Sequence, residues 1–583
     1  MMDQKNLLLA IVLSVAILFS FQFLFERYLP HPAPQQQNAS QQTPAQPASG
    51  ATAPGAADAP SNAAAPAGAA PRTAVQTREA AIADQPRVRI NTPRLHGSIA
   101  LIGGRIDDLT LAKYHETVDP KSPEVVLLWP TGTAEPYFAQ FGWAEAPGVK
   151  VPAPDTRWTA SGGPLTPDHP LTLTWDNGAG LVFTRTISVD ENYMFKVDDT
   201  VRNTGSSAVA LTPYALISRT GTPSVLGYYI LHEGLIGDLG GSLKEVKYSS
   251  LGTEKPDDFT STGGWLGFTD KYWLTALIPE QDKAIKAQFR HTIDANKVER
   301  YQADYVGAAV EVPAGGSAAT STRFFAGAKE FDLLRAYEAT GIPHFDLAID
   351  FGWFWFLTKP IFMVLQFFFG LLGNFGLAIL LLTLLIKLAF FPLANKSYAA
   401  MSKMKLLQPE MAKIREKIPD DKAKQQQEIM ALYKRVGANP LAGCLPIVIQ
   451  IPVFFSLYKV LFVTIEMRHA PFYGWIHDLS APDPTSFANL FGLLPFDPAT
   501  VPVIGSMLLI GAWPLIMGLT MFLQQKLNPQ PADPMQARMF MFLPIVFTYM
   551  LSAFPAGLVI YWTWNNLLSI AQQWAIMHRS GAA

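Results

Sequence analysis

Lys387 places a cation in the middle of an apolar run, Leu377-Ala-Ile-Leu-Leu-Leu-Thr-Leu-Leu-Ile-Lys-Leu-Ala-Phe-Phe-Pro-Leu393. At bilayer depth a lysine costs about 2.5–3.5 kcal/mol on insertion scales, so it is expected to face a polar cavity or a partner. The chemistry open to an ammonium there is capture of an anion, not the making or breaking of bonds. Snorkelling is the simpler reading, since Leu393 lies about 9 Å further along a helix and the lysine stem can lift the charge outward. Polar company favours the cavity: Thr383 shares the segment, and Gln450, Thr520 with Gln524, and Asn565, Asn566 and Ser569 punctuate later apolar runs. Interhelical hydrogen bonding accounts for a lone Gln or Asn. A lysine is different, because no carboxylate occurs in any of these runs. A water-filled groove is the expectation.

Other chemistry is poorly supported. Cys444 is the one cysteine, which excludes an intramolecular disulfide and any multi-cysteine metal site. His96, His115, His169, His232 and His291 are scattered, with His232-Glu233 the only suggestive pair. No GxxxxGK[ST] phosphate loop is present, so no nucleotide is expected. No cofactor, no metal and no enzymatic activity are expected.

The 583 residues are 49% hydrophobic and 16% charged, too apolar for a soluble protein and too charged for a membrane bundle throughout. A net charge of −2 gives no reason to expect a nucleic-acid partner. Residues 1–30 are expected to be an uncleaved anchor, because Leu7 to Phe25 carries no charge and no small-residue cleavage site comes after it. Residues 31–85 are Pro/Ala/Gln-rich and read as a flexible tether. Across 86–341 the period becomes two, as in Leu171/Leu173/Trp175, Leu181/Phe183 and Ile187/Val189, with turn signals such as Asp176-Asn-Gly178. That pattern predicts a large antiparallel two-sheet sandwich, closed by a helix from Ala328 to Ala339 through Phe331, Leu334 and Tyr337.

Residues 345–374, rich in Trp and Phe around Lys359-Pro360, are expected to form an interfacial amphipathic helix. Residues 375–577 are expected to hold five spans, at about 375–393, 441–463, 501–523, 539–554 and 557–577. With the anchor there are six. The loop from Phe391 to Pro440 holds Lys396, Lys403, Lys405, Lys413, Arg415, Lys417, Lys422, Lys424, Lys434 and Arg435, which makes it cytoplasmic by the positive-inside rule. Both termini then fall in the cytoplasm and the β domain on the other side, fitting a bacterial inner membrane with a periplasmic domain. Within the loop, 397–436 is expected to be a helical hairpin: Met401, Met404, Leu407, Met411, Ile414 and Ile418 form one stripe, kinked by Pro409, and Ile429, Tyr433 and Val436 a second. Its basic face either only enforces topology or belongs to an arm that meets ribosomes, a targeting receptor or incoming chains. The last two spans meet at Phe554-Pro-Ala-Gly557 with no polar loop, so this pair either thins the bilayer or hides its short length by tilting.

Lys387-Leu-Ala-Phe-Phe-Pro-Leu, Met401-Ser-Lys-Met-Lys-Leu-Leu-Gln-Pro409, Asn439-Pro-Leu-Ala-Gly-Cys-Leu-Pro446, Gln450-Ile-Pro452, Phe472-Tyr-Gly-Trp-Ile-His-Asp-Leu479, Asp533-Pro-Met-Gln536 and Phe554-Pro-Ala-Gly-Leu-Val-Ile-Tyr-Trp562 occur in this order. Together they resemble the YidC/Oxa family of membrane protein insertases, from about Phe351 to Met577. The anchor and β domain resemble the Gram-negative form. The resemblance implies a multi-domain membrane protein: six transmembrane helices, a periplasmic galactose-mutarotase-like β-supersandwich and a cytoplasmic helical hairpin. It implies insertion and chaperoning of nascent membrane proteins, alone or with the Sec translocon and its accessory subunits, with membrane lipids and the ribosome as further partners.

The resemblance places the family's groove cation, usually Arg, on Lys387, and groove-lining positions on Thr383 and Trp562. Lysine keeps the charge but lacks the bidentate fork, so attraction rather than fixed geometry is implied. The expected substrate groove is therefore Lys387, Thr383, Gln450, Trp562, Thr520, Gln524, Asn565 and Asn566. The alternative is a solute transporter or channel built on the same lysine, but no internal repeat of the kind such folds carry is visible. The stretch from Ser486 to Pro514 exceeds one span, and its Phe487-to-Phe496 part reads as an interfacial insertion.

Overall fold

In the computed structural model the described residues are 75–579, apart from 145–146, 224–230, 253–255, 295, 420, 438–444, 502–504 and 528–533. The expected anchor (1–30) and most of the expected tether (31–85) lie outside the described residues, as do Asn439 to Cys444 of the motif set.

After a short helix α1 (Arg78–Ala83), the chain from Arg87 to Ala328 forms a ten-stranded and a nine-stranded antiparallel sheet. The period-two pattern decides the register. Strand Leu181–Val189 buries every second residue, and Phe183 and Ile187 sit opposite Val201 and Val197 of the neighbouring strand. The inner faces meet in one apolar core, with Phe141 of one sheet against Phe324 of the other at 6.0 Å. Buried Arg185 staples the sheets: its Nε donates to Asp199 Oδ1 (2.8 Å) on the adjacent strand and its Nη2 to the Phe141 carbonyl (2.6 Å) across the core. This is the large β sandwich that the alternation predicts.

Helix α2 (Phe331–Glu338) closes the domain with Phe331, Leu334 and Tyr337 buried. It also joins the β domain to the helical part of the chain, since Phe331 packs at 4.9 Å on Phe362 of α3 (Trp355–Leu372). A second contact comes from beyond Val463, where Arg468 donates to the His115 carbonyl (2.6 Å). There buried Glu466 lies close to the Phe331 backbone at the start of α2.

The remaining helices are α4 (Phe375–Ala389), α5 (Phe391–Leu406), α6 (Gln408–Lys417), α7 (Lys422–Val436), α8 (Leu445–Val463), α9 (Gly505–Leu508), α10 (Ala512–Leu527), α11 (Pro534–Leu551) and α12 (Ala556–Arg579). The Asn374 side chain caps α4 by accepting from the Leu377 N–H (3.1 Å). Pro392 lacks the N–H that would carry α4 onward, and α4 and α5 meet at a 63° bend. Helix α12 packs on α10, α4, α5 and α8; α3 packs on α4 and α8; α11 rests on α10. Gly518 permits this last contact, since a Cβ there would lie 2.0 Å from Thr548 Oγ1.

Two expectations change in detail. Among the described residues, Trp355–Leu372, expected to lie in the interface, is the one helix long and apolar enough to cross a membrane by itself. The bent pair Phe375–Ala389 and Phe391–Ala399 passes only when taken as one span, and Gln450–Val463 and Ala537–Leu551 are shorter apolar helices. The hairpin arm, read as one stripe from Met401, is broken at Leu407 ahead of Pro409. Its first part is α5, which leans on α12, and only α6 and α7 pair as a unit through Leu407, Met411 and Leu432.

Candidate functional site

Helix α12 organises the polar residues of the bundle by its spacing. Asn565 and Ser569 stand four residues apart and share a face, whereas Asn566 is turned about 100° away. Lys387 of α4 donates to Ser569 Oγ (2.8 Å), and that hydroxyl donates onward to the Asn565 carbonyl (2.8 Å). Tyr398 of α5 also bonds Ser569. Gln450 of α8 donates to Asn565 Oδ1 (2.7 Å) and is hydrogen-bonded with Tyr561. Four helices thus meet in one polar network at the lysine.

Beside the network lies a cavity of ≈ 50 Å³ bordered by Lys387, Phe390, Tyr398, Gln450, Val453 and Gln572. It holds on the order of one to a few waters, and its polar walls offer them partners. Buried Gln572 Nε2 has no hydrogen-bond partner among the described residues, which favours such hydration. Among the described residues no carboxylate pairs with Lys387, so the site keeps a net positive charge inside an apolar bundle. That arrangement attracts anions and has no group set for covalent chemistry. Among the described residues no cluster of His, Cys, Asp or Glu is placed to hold a metal.

The expected groove residues separate into distinct places. Lys387, Gln450 and Asn565 come together. Asn566 instead donates to Thr520 Oγ1 (3.2 Å), joining α12 to α10, and Thr520 donates to the Met517 carbonyl (2.8 Å). Thr383 is buried one turn before Lys387 and donates to the Ile379 carbonyl of its own helix (2.7 Å). Trp562 stacks among aromatics, 4.5 Å from Phe454 and 6.2 Å from Phe547. Gln524 lies one turn beyond Thr520, half-buried and in neither network. Ser569 was named among the polar residues of the apolar runs but not placed in the groove, and Tyr398 and Gln572 were not expected there at all. The spacing Asn565, Ser569, Gln572 marks one helical face and could have placed Ser569 and found Gln572. Tyr398 could not be found that way, because only the bend at Phe390 brings α5 back over the lysine.

Residues 87–364 match the family model described as the YidC periplasmic domain, and residues 367–582 match the 60Kd inner membrane protein model. The membrane protein insertase YidC of Bradyrhizobium diazoefficiens is 54% identical, over 100% of this chain and 97% of that relative. Its counterpart in Methylobacterium nodulans is 53% identical, over 99% of this chain and 96% of the relative. A crystal structure of an active YidC insertase is 18% identical, covers 83% of this chain and 91% of its own, and superposes with a TM-score of 0.36. The assignment rests on the sequence relatives, whose similarity runs from end to end. On that ground the chain belongs to the YidC family.

Proposed function

We propose that this chain is a membrane protein insertase and chaperone of the inner membrane, acting on newly made membrane proteins without covalent chemistry. The observation that carries the reading is Lys387, paired with no carboxylate among the described residues and held by Ser569 beside a polar-walled cavity. A chain entering the bilayer must move a polar tail past hydrocarbon, and each charged group on it is costly to desolvate. A hydrated polar site part-way across shortens the dry path, and a cation there draws an acidic tail inward. The apolar span then leaves along lipid-facing helix surfaces. No observation favours the transporter alternative, and the relatives' shared name supports the insertase.

In this reading both termini and the α6–α7 pair are cytoplasmic, the β domain is periplasmic, and the membrane is crossed six times. The basic α6–α7 pair offers a surface for ribosomes or a targeting receptor, and the Sec translocon with its accessory subunits is the proposed co-worker. The test is site-specific crosslinking of nascent membrane proteins from positions 450 and 562. Crosslinks to entering spans from position 450, beside Lys387, are expected. Their absence from both positions in an active chain would remove the groove from the mechanism.

A further inference from the structure

A second cavity, ≈ 1080 Å³, is lined by none of the polar residues that meet at Lys387. It lies where the β domain meets α3 and α8, and its walls differ sharply from end to end. At one end is the strand Ser242–Lys247, at the edge of the nine-stranded sheet. Strand alternation places Leu243, Glu245 and Lys247 on one face, and all three line the cavity, while Lys244 and Val246 point away. Lys459 and Asp350 pair across the same region at 2.6 Å. Asp350 Oδ1 accepts from the Gly352 N–H (2.9 Å) and its Oδ2 from the His232 N–H (3.1 Å), so this carboxylate is already well used. Glu245 is an exposed carboxylate on the cavity wall.

At the other end the lining is apolar. Ile451 and Phe455 of α8 are 47% and 46% exposed, and both border the cavity. Ile451 is twelve residues before the helix end at Val463, about 18 Å at helical rise, and Phe455 is about 12 Å before it. The crevice therefore runs from charged groups on the β domain down the outer flank of α8 to hydrocarbon depth. Trp353 and Trp355, 95% and 59% exposed, sit at the charged mouth, the level at which tryptophan anchors to a bilayer surface. Opposite charges at the top and a long greasy slot beneath call for an amphiphile rather than a soluble solute.

We propose that this crevice is a site for one phospholipid with a phosphoethanolamine headgroup, its phosphate against Lys247 and Lys459, its ammonium against Glu245, and a chain along Phe455 and Ile451. The inference rests on the proposed membrane orientation, which puts the β domain and the α8 C-terminus on the outer side. A bound lipid would reinforce the join between the β domain and the bundle that Lys459, Asp350 and His232 already make here. A primary ammonium can donate to Glu245, which a choline headgroup cannot do and a glycerol headgroup lacks the charge to match.

The test is native mass spectrometry of the full chain, equilibrated in micelles with equimolar phosphatidylethanolamine, phosphatidylcholine and phosphatidylglycerol. One phosphatidylethanolamine should be retained at least fivefold over either competitor. Lys247→Glu and Glu245→Lys should each abolish that preference, whereas Lys244→Glu, on the opposite face of the same exposed strand, should keep it. Equal retention of all three lipids would mean an ordinary lipid shell and overturn the proposal. So would a Lys244→Glu effect as large as that of Lys247→Glu, or displacement of the lipid by soluble phosphoethanolamine. A separate arm labels a Lys247→Cys chain, carrying Cys444→Ser, with an impermeant thiol reagent. Labelling only from the cytoplasmic side would overturn the orientation and the site together, while the lipid results bear on the site alone.

Discussion

Replacing Lys387 separates an electrostatic role from a structural one, because its surroundings set both magnitudes. The side chain makes one hydrogen bond, to Ser569 Oγ at 2.8 Å, and no carboxylate pairs with it among the described residues. Lys387→Ala forfeits that charged hydrogen bond, about 1.5–3 kcal/mol, and relieves an insertion penalty of about 2.5–3.5 kcal/mol. The two nearly cancel, so the bundle's stability should move by less than about 2 kcal/mol. The effect on an acidic tail is larger. An ammonium and a carboxylate 4–8 Å apart attract by about 2–4 kcal/mol at an effective dielectric near 20, and even the lower figure is a roughly 30-fold change in occupancy. Lys387→Arg should retain activity, and Lys387→Ala and Lys387→Glu should fail increasingly as the translocated tail gains acidic residues. The assay is in-cell insertion of a single-span reporter whose short tail carries zero, one or two acidic residues, with variant levels checked in the membrane. Equal insertion of all three reporters by a normally accumulating Lys387→Ala chain would refute the electrostatic argument and leave snorkelling as the account of this lysine.

Particular contacts set three further outcomes. Excising Gln408 to Val436 should leave a monodisperse bundle with weakened co-sedimentation with ribosome–nascent chain complexes, whereas extending the cut back to Met401 should destabilise it, because α5 packs on α12; equal stability of the two deletions would contradict this division. Burial beside Glu330 and Asp332 pushes the Glu466 carboxyl from 4.5 up to about 7, so the folded junction binds its proton more tightly than the unfolded chain does. That stabilising contribution is fully present below about pH 4.5 and is lost as pH rises through about 7, an effect of about 3 kcal/mol. Hydrogen-exchange protection of α2, corrected for intrinsic rates, should fall across this window in the parent chain and stay flat in Glu466→Gln; parallel curves would exclude Glu466 as the source. Gly518→Ala should destabilise the α10–α11 contact by about 1–3 kcal/mol, measured as a lowered thermal midpoint in detergent, and Thr548→Ala in the same chain should restore part of it; no loss in the single variant would mean that α11 is free to shift.

Local chemistry made much of this protein legible before any fold was known. Alternation along Leu181–Val189 dictates a half-buried strand, because successive side chains must face opposite sides, and the buried set found there is the alternating one. A lysine without a carboxylate in an apolar run demands polar surroundings wherever it lands, which is why Lys387 stood out and why Gln450 and Asn565 could be grouped with it. Breaks were harder to judge. Pro392 and Pro409 announce interruptions, but only the packed chain shows that α5 bends back onto α12 and brings Tyr398 to Ser569. The division of Asn565 from Asn566 was equally hidden. Adjacent residues on a helix point about 100° apart, and which neighbour each one meets depends on where α8 and α10 pack. Glu466 at the start of α2 and the crevice beneath Lys247 join groups more than a hundred residues apart in sequence, on separate domains. Period and composition report what a segment needs around it; only tertiary packing decides which distant side chain supplies it.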